Sequence, residues 1–145
     1  FITIKDALKE WKPEELRFLY ISTHYRSPID CSRESLEGAK KGLERLKEFM
    51  RKVKNGKDNF DESLVEETRK KFIEIMDDDF DTPRTLAVIF DFVREVNKVG
   101  GGKKACNLMK EFDGIFGLKL GEDLEEEELS KEVIELIKKR LKKNK

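Results

Sequence analysis

The sequence predicts an all-α protein, an antiparallel helical bundle. Three observations lead there. Apolar residues recur in steps of three and four along several stretches. The alternation of a strand is nearly absent, with residues 1–4 the one candidate. Proline, glycine and small polar residues stand where helices would begin and end.

The first element is "ITIKDALKEW", with Thr3 placed to cap it. Pro13 opens "PEELRFLYISTH", and Glu14 and Glu15 suit the positive end of a helix; Leu16, Leu19 and Tyr20 share a face. "YRSPIDCS" is a loop, because Pro28 keeps Ser27 out of the helical region. Ser32 or Ser35 begins the longest helix, which stops near Asn55 and Gly56. Its apolar stripe is Leu36, Ala39, Leu43, Leu46, Met50 and Val53. Asp61 starts the next, with Leu64, Val65, Phe72, Ile73 and Met76 facing inward. A further helix runs from Pro83 to about Lys98, burying Leu86, Ile89, Phe90, Val93 and Val96. "VGGGKK" reads as a flexible break. "KACNLMKEFDGIFGL" then buries Ala105, Leu108, Met109, Phe112, Ile115 and Phe116. "EDLEEEELS" reads as a polar connector, and "KEVIELIKKRLKKNK" as a basic final helix. The expected divisions are 1–32, a helical segment; 33–120, the bundle; and 121–145, an acidic connector with the basic helix.

Of the 145 residues, 43% are charged and 37% hydrophobic, a wet surface around a modest core. No apolar run approaches the roughly 20 residues of a membrane span. One histidine and two distant cysteines, Cys31 and Cys106, offer no zinc-ligand spacing, and reduced thiols in a cytoplasmic protein are expected. The zero net charge hides a division. Residues 1–57 hold fourteen basic and nine acidic side chains, 58–130 ten and twenty, and 131–145 seven and two. A basic first third could meet nucleic acid while the acidic middle stays clear of it.

"IMDDDFDTPRTLAVIF" gathers Asp77, Asp78, Asp79 and Asp81 before an apolar run. As an EF-hand loop it has Thr82 where glycine is needed and Val88 where a bidentate glutamate is needed. As a magnesium–diphosphate motif it has no second acidic motif on a facing helix. No metal is expected. The favoured reading is structural: Pro83 sits in a first helical turn and Asp81 or Thr82 caps it. Asp77 to Asp79 burden the end of the preceding helix. That helix therefore ends near Met76, or a basic group from elsewhere answers the acids.

Two phrases, "HYRSPIDCSRESLEGAKKGLERL" (24–46) and "MDDDFDTPRTLAVIFDFVREVN" (76–97), resemble the helical region of cysteinyl-tRNA synthetases, in order and at matching separation. "FITIKDAL" resembles the stretch directly after that family's KMSKS loop, and "IELIKKRLKKNK" the stretch leading into its small C-terminal module. The resemblance implies a segment lying between the two. It implies a parent that attaches cysteine to tRNA using ATP with magnesium, and that carries a zinc in its catalytic domain. The HIGH, KMSKS and zinc residues are absent from these 145, so no catalytic residue and no cofactor is expected here, and the chain alone is expected to be inactive. Implied partners are tRNA, held weakly through its backbone, and the catalytic domain. Cysteine ligases of mycothiol synthesis, which share the architecture, are the same-fold alternative. A helical interaction module without an enzyme parent is the alternative of another class.

His24, Tyr25 and Arg26 stand together at a helix end. They form a domain interface, with Arg26 able to fork onto a phosphate, or they satisfy the last carbonyls of the helix. On the long helix Arg33, Lys40, Lys47 and Lys54 are seven apart, with acids between the first of them, as on a solvated face. Toward its end Glu48 is the only acid among Lys47, Arg51, Lys52, Lys54 and Lys57. Lys47, Arg51, Lys54 and Arg26 are therefore the candidate tRNA-backbone contacts.

Overall fold

The computed structural model describes residues 2–143, with the side chains of 123–129 and 143 outside the description. The elements are α1 (Ile4–Ala7), α2 (Pro13–Ile21), α3 (Arg33–Lys54), α4 (Ser63–Asp77), α5 (Thr82–Val99), α6 (Lys103–Phe116) and α7 (Glu122–Lys143). No strand occurs among the described residues; Phe1, part of the one strand candidate, lies outside them.

Local chemistry sets most of the boundaries. Thr3 caps α1, its hydroxyl accepting the Asp6 N–H at 3.2 Å. Pro13 occupies the first turn of α2, and the Glu15 carboxylate reaches back to the Lys12 N–H at 2.9 Å. Of the two serines, Ser32 caps α3, accepting the Ser35 N–H at 3.1 Å. α4 begins two residues after Asp61, whose carboxylate accepts the Ser63 N–H at 2.9 Å.

α3 lies at the centre, packed against α2, α5 and α6, while α4 covers α5 and α6. Its expected stripe, Leu36, Ala39, Leu43, Leu46, Met50 and Val53, is wholly buried. One hydrophobic cluster runs from Ala7 to Leu120 and joins Trp11, Phe18 and Leu19 to the α3–α6 core. Phe72 of α4 stacks on Phe112 of α6 with ring centroids 4.3 Å apart, and Phe92 of α5 meets Phe49 edge-on at 6.3 Å. Arg69 ties α4 to α6, its guanidinium forking onto both Glu111 oxygens at 2.9 Å. That fork holds the Glu111 carboxyl below its usual range and pushes the Arg69 guanidinium up.

Three expected core residues face solvent instead: Tyr20, Ile73 and Ile115. Beside them, the buried face of each helix is carried by Leu16 and Leu19 on α2, Phe72 on α4, and Phe112 and Phe116 on α6. α7 runs as helix through the stretch expected to be a polar connector. Val133, Ile134, Leu136, Ile137 and Leu141 on it are exposed.

The glycine run between α5 and α6 is a tightly packed crossing, contrary to the expected flexible break. A Cβ on Gly56 would fall 2.0 Å from the Gly101 carbonyl oxygen, and one on Gly102 would fall 2.6 Å from that of Gly56. Only glycine lets these two backbones touch. The same crossing supplies α6 with its cap. Asp58, just past Gly56, accepts the N–H groups of Gly102 at 2.6 Å, Lys104 at 2.9 Å and Ala105 at 3.4 Å. Burial alone would raise the Asp58 carboxyl, but these three donors and the nearby Lys104 ammonium outweigh it and hold the group below its ordinary value.

Asp58→Ala is expected to cost about 2 kcal/mol, the upper end for losing a charged cap. The lowered folded-state pKa means that the stabilisation is fully present above the ordinary carboxylate value of about 4. It is lost as pH falls from there through the depressed value. Thermal melts of wild type and Asp58→Asn should therefore differ by a constant margin above about pH 5 and converge below about pH 4.

Candidate functional site

The α4–α5 corner, residues 77–82, meets the loop after α2. Asp79 stands at the centre. The Tyr25 hydroxyl donates to Asp79 Oδ1 at 2.5 Å, and Arg26 Nη2 donates to the same oxygen at 3.1 Å. His24 Nε2 lies 3.6 Å from Asp79 Oδ2. Arg26 Nε donates to the Tyr25 hydroxyl oxygen at 3.1 Å, and the Arg26 backbone N–H donates to His24 Nδ1 at 3.2 Å. With Nδ1 accepting, a neutral His24 carries its proton on Nε2, the nitrogen that faces Asp79. The Tyr25 ring stacks on His24 with centroids 4.7 Å apart, and the Arg26 guanidinium carbon is 5.5 Å from its centroid. The two phrases picked out in the sequence thus close on one carboxylate across more than fifty residues.

This geometry accounts for the aspartates. α4 ends at Asp77, one residue past the expected stop, and Asp78 is its C-cap. Arg84 Nη1 lies 3.6 Å from the Asp78 carboxylate and 3.8 Å from that of Asp81. Asp81 is the N-cap of α5, accepting the Arg84 N–H at 3.3 Å. Thr82 and Pro83 lie inside the first turn, so Thr82 is not the cap. Among the described residues, no group of three or more acids, histidines or cysteines is arranged to hold a metal ion.

His24 does not close the end of α2. Ser22 does so, its hydroxyl donating to the Phe18 carbonyl at 2.6 Å. The corner itself is strained: Asp79 has φ +62° and Phe80 φ +50°. Aspartate tolerates the left-handed region; phenylalanine there is an outlier. Phe80 is 66% exposed, so burial does not compensate the strain. Tyr25, Arg26 and Phe80 together present two aromatic rings and a guanidinium to solvent.

The other candidate contacts separate. Lys47 is buried, with Nζ 3.7 Å from Glu14 Oε1 in the seam between α2 and α3. It therefore does not lie on an exposed basic stripe, contrary to expectation. Glu14 and Glu15, read only as helix-start acids, are buried too. Arg51 pairs with Glu44 at 2.5 Å, and Lys54 is half-buried in the last turn of α3. Arg26 precedes the start of α3, whereas Arg51 and Lys54 lie at its end, some 27 Å of helix away at 1.5 Å per residue.

Residues 71–121, from within α4 through α6, match the DALR domain family. The chain is similar to cysteine–tRNA ligases. That of Geobacillus sp. strain WCH70 is 39% identical over 155 aligned residues, covering 97% of this chain and 33% of the relative. That of Dehalococcoides mccartyi strain 195 is 40% identical, covering 82% and 27%. That of Legionella pneumophila strain Corby is 41% identical, covering 81% and 25%. The chain thus spans a third or less of the length of these curated relatives.

Asp81→Ala is expected to cost about 1 kcal/mol in denaturant unfolding, and Thr82→Ala clearly less. Phe80→Asn, which suits left-handed backbone, should raise stability by up to about 1 kcal/mol. A loss on that substitution would mean that the ring is held for packing.

Proposed function

The chain is related to the cysteine–tRNA ligases along most of its length, and on that premise we propose that it is the tRNA-contacting helical region of such a ligase. The whole enzyme joins cysteine to its tRNA using ATP in protein synthesis, in the cytoplasm. ATP, magnesium and a zinc belong to the catalytic part, and none of the 145 residues takes a chemical step. Among the described residues no helix is long and apolar enough to cross a membrane.

The observation that carries the reading is the Asp79 junction. Three side chains of one ligase-like phrase converge on a carboxylate of the other, and leave Tyr25 and Arg26 facing outward. In this reading Asp79 holds the guanidinium of Arg26 in place, and its outer edge meets an RNA phosphate. His24 and Tyr25 form the seat for the catalytic part. Arg51 and Lys54 add backbone contacts at the far end of α3. Such contacts position the RNA without reading its sequence. The mycothiol-pathway ligase and the free-standing helical module have no support among these relatives, whose names all specify tRNA.

A graft tests this. The segment is exchanged for its counterpart in the Geobacillus ligase, and cysteinylation of tRNA is measured. The expected result is an active chimera with kcat/KM within roughly tenfold of the parent, and a raised KM for tRNA with little change in kcat on Arg26→Glu. A folded chimera without activity overturns the proposal.

A further inference from the structure

Two acid-free basic stretches flank the glycine crossing: "RKVKNGK" (51–57) and "KVGGGKK" (98–104). The fold lays one on the other. Gly56 touches Gly101 and Gly102, so the end of α3, the end of α5 and the start of α6 meet at one end of the bundle. Between the two turns lies a cleft of about 420 Å³, lined by Lys52, Lys57, Asn59, Asn97 and the glycine backbone.

Lysines at the ends of α3 and α5 are ordinary, since the helix dipole favours cations there. Lys103 and Lys104 occupy the first turn of α6, where the dipole disfavours cations, and the Asp58 carboxylate that caps this turn offsets that cost. Lys104 is answered by Glu62 at 2.9 Å, Lys98 by Glu95 at 2.8 Å and Lys52 by Glu48 at 3.7 Å. These are exposed pairs that a phosphate can displace at little cost. Lys57 and Lys103 are exposed, and among the described residues neither is held in an ion pair. The positive end of α6 is already neutralised internally by Asp58, so the lysines, not the helix end, are what the cleft offers an anion.

We propose that this cleft is a seat for phosphates of an RNA backbone, with Lys52 and Lys57 as its cations and the Asn97 amide as a donor. The inference rests on the tRNA-contacting reading and moves the far contact from the flank of α3 to the crossing of the two turns. The seat takes phosphodiester groups irrespective of base.

The test measures binding of total tRNA to the 145-residue chain by fluorescence anisotropy across a salt series. Lys52→Glu/Lys57→Glu is compared with a charge-matched control, Lys41→Glu/Lys71→Glu, and circular dichroism checks the fold of each. The expected result is a roughly tenfold or greater loss for the first pair only. Its slope of log affinity against log salt should flatten by about one to two, the contribution of one or two phosphates. Binding that the first pair leaves intact, or that both pairs weaken equally, overturns the seat while leaving the tRNA reading standing. A chain that binds no tRNA at all overturns both.

Discussion

The contact of Gly56 with Gly101 and Gly102 is the constraint on which the rest of the architecture depends. Backbone meets backbone there, at a distance no side chain would permit. That approach sets where α3 stops and where α6 starts. It also delivers Asp58 to three N–H groups that would otherwise need a local cap, since Gly102 has no side chain to offer. With α3 and α6 fixed at one end, α4 and α5 must turn back within the space left. Their aromatic residues then fill the layer between the central helix and its cover.

At the opposite end a different device is used. The α4–α5 corner is too tight for comfortable backbone, and two consecutive residues take left-handed angles without being glycine. The corner is held from outside, by His24, Tyr25 and Arg26 converging on Asp79. One end of the bundle is thus closed by the absence of side chains and the other by their convergence. The second arrangement leaves an exposed aromatic residue in an unfavourable conformation, a strain that its burial does not repay.

Most of the fold was legible in the sequence because burial imposes a period. The stripe from Leu36 to Val53 and the caps at Thr3 and Ser32 arise from local rules alone. What escaped is what a second element decides. Lys47 shares a seven-residue spacing with Arg33, Lys40 and Lys54, and nothing in that spacing says α2 will land on it with Glu14 as its counter-charge. Ile73 and Ile115 fit the apolar period yet stay more than half exposed. The aspartates posed a local conflict whose resolution was visible only in outline: either the helix ended near Met76 or a basic group from elsewhere answered the acids, and the identity of that group depended on a loop some fifty residues earlier. The glycine run read as loose because composition marks the absence of side chains and not the proximity of another backbone.

The remote cap of α6 also orders the assembly of the molecule. Its acceptor lies 44 residues before the first N–H it serves. α4 and α5 occupy the intervening chain, so this closure gains from their prior collapse into a hairpin, which shortens the effective loop. Helix formation and hairpin pairing are local and rapid, whereas the clamp at Asp58 is a long-range event. The start of α6 is therefore expected to be among the last parts of the core to become fixed, after α4 and α5 have brought it home.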